Sequence, residues 1–143
     1  MKDKITYIVS LSVLIIVIAF VLVSIGMLLC PAQVIDFKTD KYKILTPVVK
    51  AGESVKFHAE FEKLRPQGGT VNRQLIDSII YFYPEARTDI PVGYYDVDGE
   101  VTIPSYVDPG IYYIRNIYTY KINLIKTITY TMDTETFEVT NGD

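Results

Sequence analysis

Between Lys4 and Asp36 no residue carries a formal charge. The 25 residues from Ile5 to Leu29 include 17 that are Ile, Leu, Val or Phe. As a helix rising about 1.5 Å per residue, the stretch reaches about 37 Å, against a bilayer hydrocarbon core of about 30 Å. At about −0.4 kcal/mol per strongly apolar residue, insertion is favoured by roughly 7 kcal/mol, which the few Ser, Thr and Gly do not reverse. The sequence predicts a single transmembrane α-helix, with one domain behind it.

A cleaved signal has an apolar core of about 7–15 residues and a small-residue cleavage site. This stretch is longer, and Cys30-Pro31-Ala32 fits such a site poorly. A lipoprotein box places a small residue before its cysteine, where this chain has Leu29. Pro31 instead stops the helix. The expected division is an anchor over residues 1–30, a linker over 31–40 and a β domain over 41–143. Lys2 and Lys4 flank one side of the anchor, and Lys38, Lys41 and Lys43 the other, so the positive-inside count alone does not orient it. A very short basic head before a long apolar run is the pattern of a signal anchor, which puts the domain outside the cytoplasm, in a periplasm or at a cell surface. Ser12, Ala19 and Gly26 recur every seven residues on one helix face. Small residues let membrane helices approach closely, so this stripe offers a route to a homo-oligomer.

Cys30 is the only cysteine, so no internal disulfide forms and the domain must stand on packing alone. Without Lys2, Asp3 and Lys4 the chain holds 12 basic and 16 acidic residues and no basic run. The bilayer is an expected partner; nucleic acid is not.

Beyond the anchor the pattern is that of strands. Lys41–Lys50 is β-prone, with Pro47 confining it to an edge. Val55, Phe57, Ala59 and Phe61 alternate with Lys56, His58, Glu60 and Glu62, which predicts a half-buried strand. Pro66 and Gly68-Gly69 predict a loop over 64–72. Leu75–Tyr83 reads as the next strand, apolar on both faces from Ile79 onward as a central strand would be. Asp98-Gly99 carries the signal of a two-residue hairpin turn. Residues 111–122 and 125–139 read as a long final hairpin. Ile128 and Tyr130 differ in parity from Phe137 and Val139, so a bulge near Met132-Asp133 is expected.

The run Asp108-Pro109-Gly110-Ile111-Tyr112-Tyr113-Ile114 resembles the D-x-G/A-x-Y-x-C sequence of immunoglobulin-like domains. By that resemblance Tyr112 is a corner tyrosine whose hydroxyl returns to the backbone just upstream, Asp108 and Gly110 shape the corner, and Ile114 takes the cysteine's place. The missing cysteine pair, the lack of any Trp and the Pro after Asp108 depart from antibody-type domains. The chain is similar instead to disulfide-free immunoglobulin-like or fibronectin-III-like sandwiches. The resemblance implies an all-β fold: an Ig-like antiparallel β-sandwich of about seven strands behind the transmembrane helix.

For function, the tyrosines come first. Eleven of twelve follow the anchor, and Tyr113, Tyr118, Tyr120 and Tyr130 in the last hairpin offer rigid area with a polar tip. Arg115 and Lys126 lie beside them and could frame an anionic contact. High β propensity alone also explains so many tyrosines. Asp96, Asp98 and Glu100 cluster around one dipeptide, but at no EF-hand spacing. One His, no thiol beyond the anchor and no phosphate-binding loop argue against an enzyme, a metal site or a cofactor. The expectation is a single-pass, membrane-anchored binding module presenting a tyrosine-rich hairpin to a protein or glycan. A structural subunit of a membrane or virion assembly is the alternative. A periplasmic metal or redox assembly helper follows, weakened by the lack of His, Met and Cys clusters.

Overall fold

The computed structural model describes residues 2–141. Helix α1 spans Lys2–Leu29. Its Val9–Leu29 segment is long and apolar enough to cross a bilayer, and none of it is buried against the rest of the chain. Ser12, Ala19 and Gly26 are all exposed on it. Eleven strands follow among the described residues: β1 Ile35–Phe37, β2 Lys41–Ile44, β3 Val48–Lys50, β4 Ser54–Lys63, β5 Gly69–Ile76, β6 Ile80–Phe82, β7 Ala86–Thr88, β8 Gly93–Thr102, β9 Gly110–Lys121, β10 Thr127–Thr134 and β11 Phe137–Thr140. The domain is mostly strands behind one apolar helix.

The strands form two groups. In the first, β4 pairs antiparallel with β8 along its whole length and with β1 and β2 on its other side. In the second, β9 lies between β5 and the β10/β11 pair, with β6 and β7 on the far side of β5. The sheet is mixed where an antiparallel one was expected: β2 runs parallel to β10, and β3 parallel to β11. The cause is Pro47. It cannot donate to a ladder, so Lys41–Lys50 breaks into two short strands, and these border the chain's last segments, which run in the same direction. Because β2 pairs with both β4 and β10, it links the groups.

The main core draws on both. Val55, Phe57 and Ala59 of β4 and Val101 of β8 meet Leu75, Tyr112, Ile114, Met132, Phe137 and Val139. Tyr42 stacks on Phe57 with ring centroids 5.5 Å apart. A second cluster of Val34, Ile35 and Tyr120 lies at the end nearer the helix. Residues 31–40 are therefore more than a linker. Val34 and Ile35 are buried, and β1 pairs Ile35 with Lys63.

Four strand expectations fail locally. Asp98-Gly99 makes no turn: it lies inside β8, opposite His58 and Phe57. A Cβ at Gly99 would come within 2.6 Å of the Phe57 ring, so this glycine makes room for an aromatic on the neighbouring strand. The Gly68-Gly69 loop ends early because β5 begins at Gly69. Leu75–Tyr83 is two strands, since Asp77-Ser78 turns the chain and β6 folds back on β5 at an edge. The parity change before β11 falls at Glu135-Thr136, between buried Thr134 and buried Phe137, three residues beyond the expected Met132-Asp133.

Candidate functional site

Strand β9 sorts its side chains by parity. Tyr112, Ile114, Asn116 and Tyr120 are buried, and Tyr118 joins them partly buried against the core. Tyr112 Oη donates to the carbonyl of Asp108, 2.9 Å away, and burial pushes its pKa up to about 12. Tyr118 Oη lies 3.0 Å from Tyr42 Oη, and burial raises the pKa of both hydroxyls. Tyr120 is 0 % exposed, with the Lys63 ammonium 4.0 Å from its ring centroid.

Tyr118 and Tyr120 therefore face the wrong way for the contact surface expected of them. Tyr130 stands opposite Tyr118, and its Oη accepts the Val34 N–H at 3.0 Å, so it belongs to the same interior. Phe37 of β1 packs on Tyr118 and Tyr130, with centroids 5.7 and 6.0 Å away. The segment expected to be a linker is what covers them. The Lys126 ammonium is directed to the end of α1: its Nζ donates to the carbonyls of Leu28 and Cys30, each at 2.9 Å.

The opposite parity presents Ile111, Tyr113 and Arg115 outward. Arg115 Nε and Nη2 donate to the two carboxylate oxygens of Asp133 at 2.8 and 2.9 Å. That pairing holds the guanidinium pKa above its usual range and fixes the fork. The guanidinium carbon is 5.6 Å from the Tyr113 ring centroid. Across the ladder, Tyr113 pairs with Ile76 and Arg115 with Gln74. Beyond them, Ile80 pairs with Ile76 and Phe82 with Gln74. Two rows result, Ile80–Ile76–Tyr113 and Phe82–Gln74–Arg115–Asp133. Ile80, Phe82 and Ile111 are exposed, Phe82 by 66 %.

The sequence reading missed Ile80, Phe82 and Ile111. The signal was Asp77-Ser78, a turn pair inside an otherwise apolar run, which moves Ile79–Tyr83 from a central strand to an edge. The resulting face groups exposed Ile80, Phe82 and Ile111 with the paired Arg115 and Asp133, and grouped apolar side chains of this kind suit a contact surface.

His58 lies on another face, between β4 and β8. Its Nδ1 is 2.9 Å from Asp98 and its Nε2 3.4 Å from Asp96. No group of three or more His, Cys, Asp or Glu among the described residues is arranged to hold a metal ion.

No family profile matches the chain, and no curated protein sequence does. Among solved structures it is similar to the Pseudomonas fluorescens alkylpurine DNA glycosylase AlkC bound to DNA containing an abasic site analog, with 10 % identity and a TM-score of 0.42, over 77 % of this chain and 31 % of that one. It is also similar to the Listeria innocua β-glucosidase, with 12 % identity and a TM-score of 0.37, over 73 % of this chain and 16 % of that one. The chain spans less than a third of either protein.

Proposed function

We propose that the chain is a non-enzymatic, membrane-anchored binding module: an Ig-like sandwich held outside the cytoplasm by α1, which offers the outer face of β6, β5 and β9 to a protein partner. Three features support the Ig-like reading. Tyr112 bonds back to Asp108 as a corner tyrosine does. Ile114, in the cysteine's place, is fully buried. The long pairings β4–β8 and β5–β9 fall in different groups, as in a two-sheet domain, and the parallel pairs are confined to the first, Pro47-broken segment.

The observation that carries the binding reading is the group of exposed apolar side chains Ile80, Phe82 and Ile111, set around half-buried Tyr113 and the Arg115–Asp133 pair, with buried Ile76 beneath them. Apolar residues grouped on one face mark contact sites more often than residues scattered singly do. The alternative, a structural subunit joined edge to edge, has an available edge in β8, which among the described strands pairs only with β4. That edge carries Asp96, Asp98 and Glu100, whose like charges oppose pairing with a second copy.

A photo-crosslinking residue in place of Phe82, in membranes of the native cell, tests the proposal. The expected result is one discrete heterologous adduct that is lost when Ile111→Asp is added. Adducts only with further copies of this chain favour the structural subunit. No adduct from Phe82 or from Ile80 overturns both.

A further inference from the structure

The turn between β9 and β10 reaches the end of α1. Asn123 Nδ2 donates to the Met27 carbonyl at 2.8 Å, and Lys126 Nζ to those of Leu28 and Cys30. The last four carbonyls of a helix have no partner within it, and in hydrocarbon such groups must be satisfied by protein. A lysine also suits the negative end of the helix dipole. Between these two capping residues lie Leu124, 79 % exposed, and Ile125, 53 % exposed. The turn is tight, with Ile122 N–H donating to Lys126 O at 2.9 Å and Ile125 N–H to Asn123 Oδ1 at 3.1 Å. Two large apolar side chains are thus held out at the level of the last helical turn.

We infer that this tip is a second membrane contact: Leu124 and Ile125 enter the interface of the bilayer that α1 spans, while Asn123 and Lys126 cap the helix where it leaves the lipid. The inference rests on the anchor reading above. The apolar segment Val9–Leu29 has 21 residues, or about 31 Å of helix against a hydrocarbon core of about 30 Å. Leu28 and Leu29 then stand at the hydrocarbon boundary, and the turn that bonds to Leu28 stands there too. Leu64 and Val92 are exposed at the same end of the domain, where Leu64 N–H donates to Val34 O and Lys63 pairs with Gly93. The domain is therefore seated on the bilayer rather than swinging from a tether. Gly110, at the other end of β9, is turned away from the membrane, and so is the Ile80–Ile76–Tyr113 row beside it.

The chain contains no tryptophan, so single substitutions report one position each. Full-length F20W, L124W and Y106W variants are placed in phosphatidylcholine vesicles with brominated acyl chains. Phe20 lies in the anchor, and Tyr106 is exposed near the start of β9. Emission from F20W and L124W is expected to shift to the blue and to be quenched, with Y106W left unquenched. Quenching of F20W alongside an L124W signal matching that of Y106W overturns the inference and leaves the anchor standing. An unquenched F20W removes the anchor reading, and this inference with it.

Discussion

The two faces of β9 are built from similar residues and do opposite work. The even-numbered face, Tyr112, Ile114, Asn116, Tyr118 and Tyr120, faces the core. The odd-numbered face, Ile111, Tyr113 and Arg115, carries two of the same residue types outward. The difference teaches that in a strand position outweighs composition. A tyrosine with a sheet and a β1 strap above it holds the fold together, and its neighbour one residue away points outward and is half-buried.

The largest effect expected to separate the faces is alkaline unfolding. Burial raises the pKa of Tyr42, Tyr112, Tyr118 and Tyr120 in the folded state. Above about pH 10 the unfolded chain loses tyrosine protons that the folded chain keeps, so stability falls as pH rises, by about 1.4 kcal/mol per group for each pH unit. Lys63 acts in the other direction. Burial lowers its folded pKa, so the unfolded chain binds the extra proton and stability rises with pH up to about 10.5. Four tyrosines outweigh one lysine. Absorbance at the tyrosinate band, followed with circular dichroism, should show the buried set ionising together with loss of structure before about pH 12. Smooth ionisation with the fold intact would break the comparison.

Next in size, Tyr120→Ala should cost about 3–5 kcal/mol in chemical denaturation, the range for deleting a buried aromatic. A loss below about 1 kcal/mol would place Tyr120 outside the core. Gly69→Ala sharpens the same point from the neighbouring strand. Gly69 pairs with Tyr120, and a Cβ there would come within 2.5 Å of that ring and of the Thr119 carbonyl. The expected loss is about 1–3 kcal/mol, as for overpacking. Tyr113→Ala, one step along β9 from Tyr112, should change stability by no more than about 0.5 kcal/mol while weakening partner capture.

Much of this was legible in the sequence. The uncharged run from Ile5 to Leu29 gave the helix, the alternation from Val55 to Glu62 gave β4, and the run from Asp108 to Ile114 pointed to the corner. What failed were the decisions that depend on a neighbour. Asp98-Gly99 has the chemistry of a turn, but β4 offers ten consecutive partners to β8, and Gly99 makes room for Phe57. Tyr118 and Tyr120 share parity with Tyr112, which already implied one common face. Which face is covered depends on β1, and three strand residues after a proline carry little local signal. The outward face was half legible through Tyr113 and Arg115. Ile80 and Phe82 stayed hidden because the turn at Asp77-Ser78 lies within an apolar run.

The most direct test of the division is oxidative labelling of tyrosines in full-length protein held in a lipid nanodisc, read out by mass spectrometry. Rapid modification of Tyr113, with Tyr112 and Tyr120 protected until the fold is lost, is the predicted result. Labelling of Tyr120 at the rate of Tyr113 in the folded protein would contradict it.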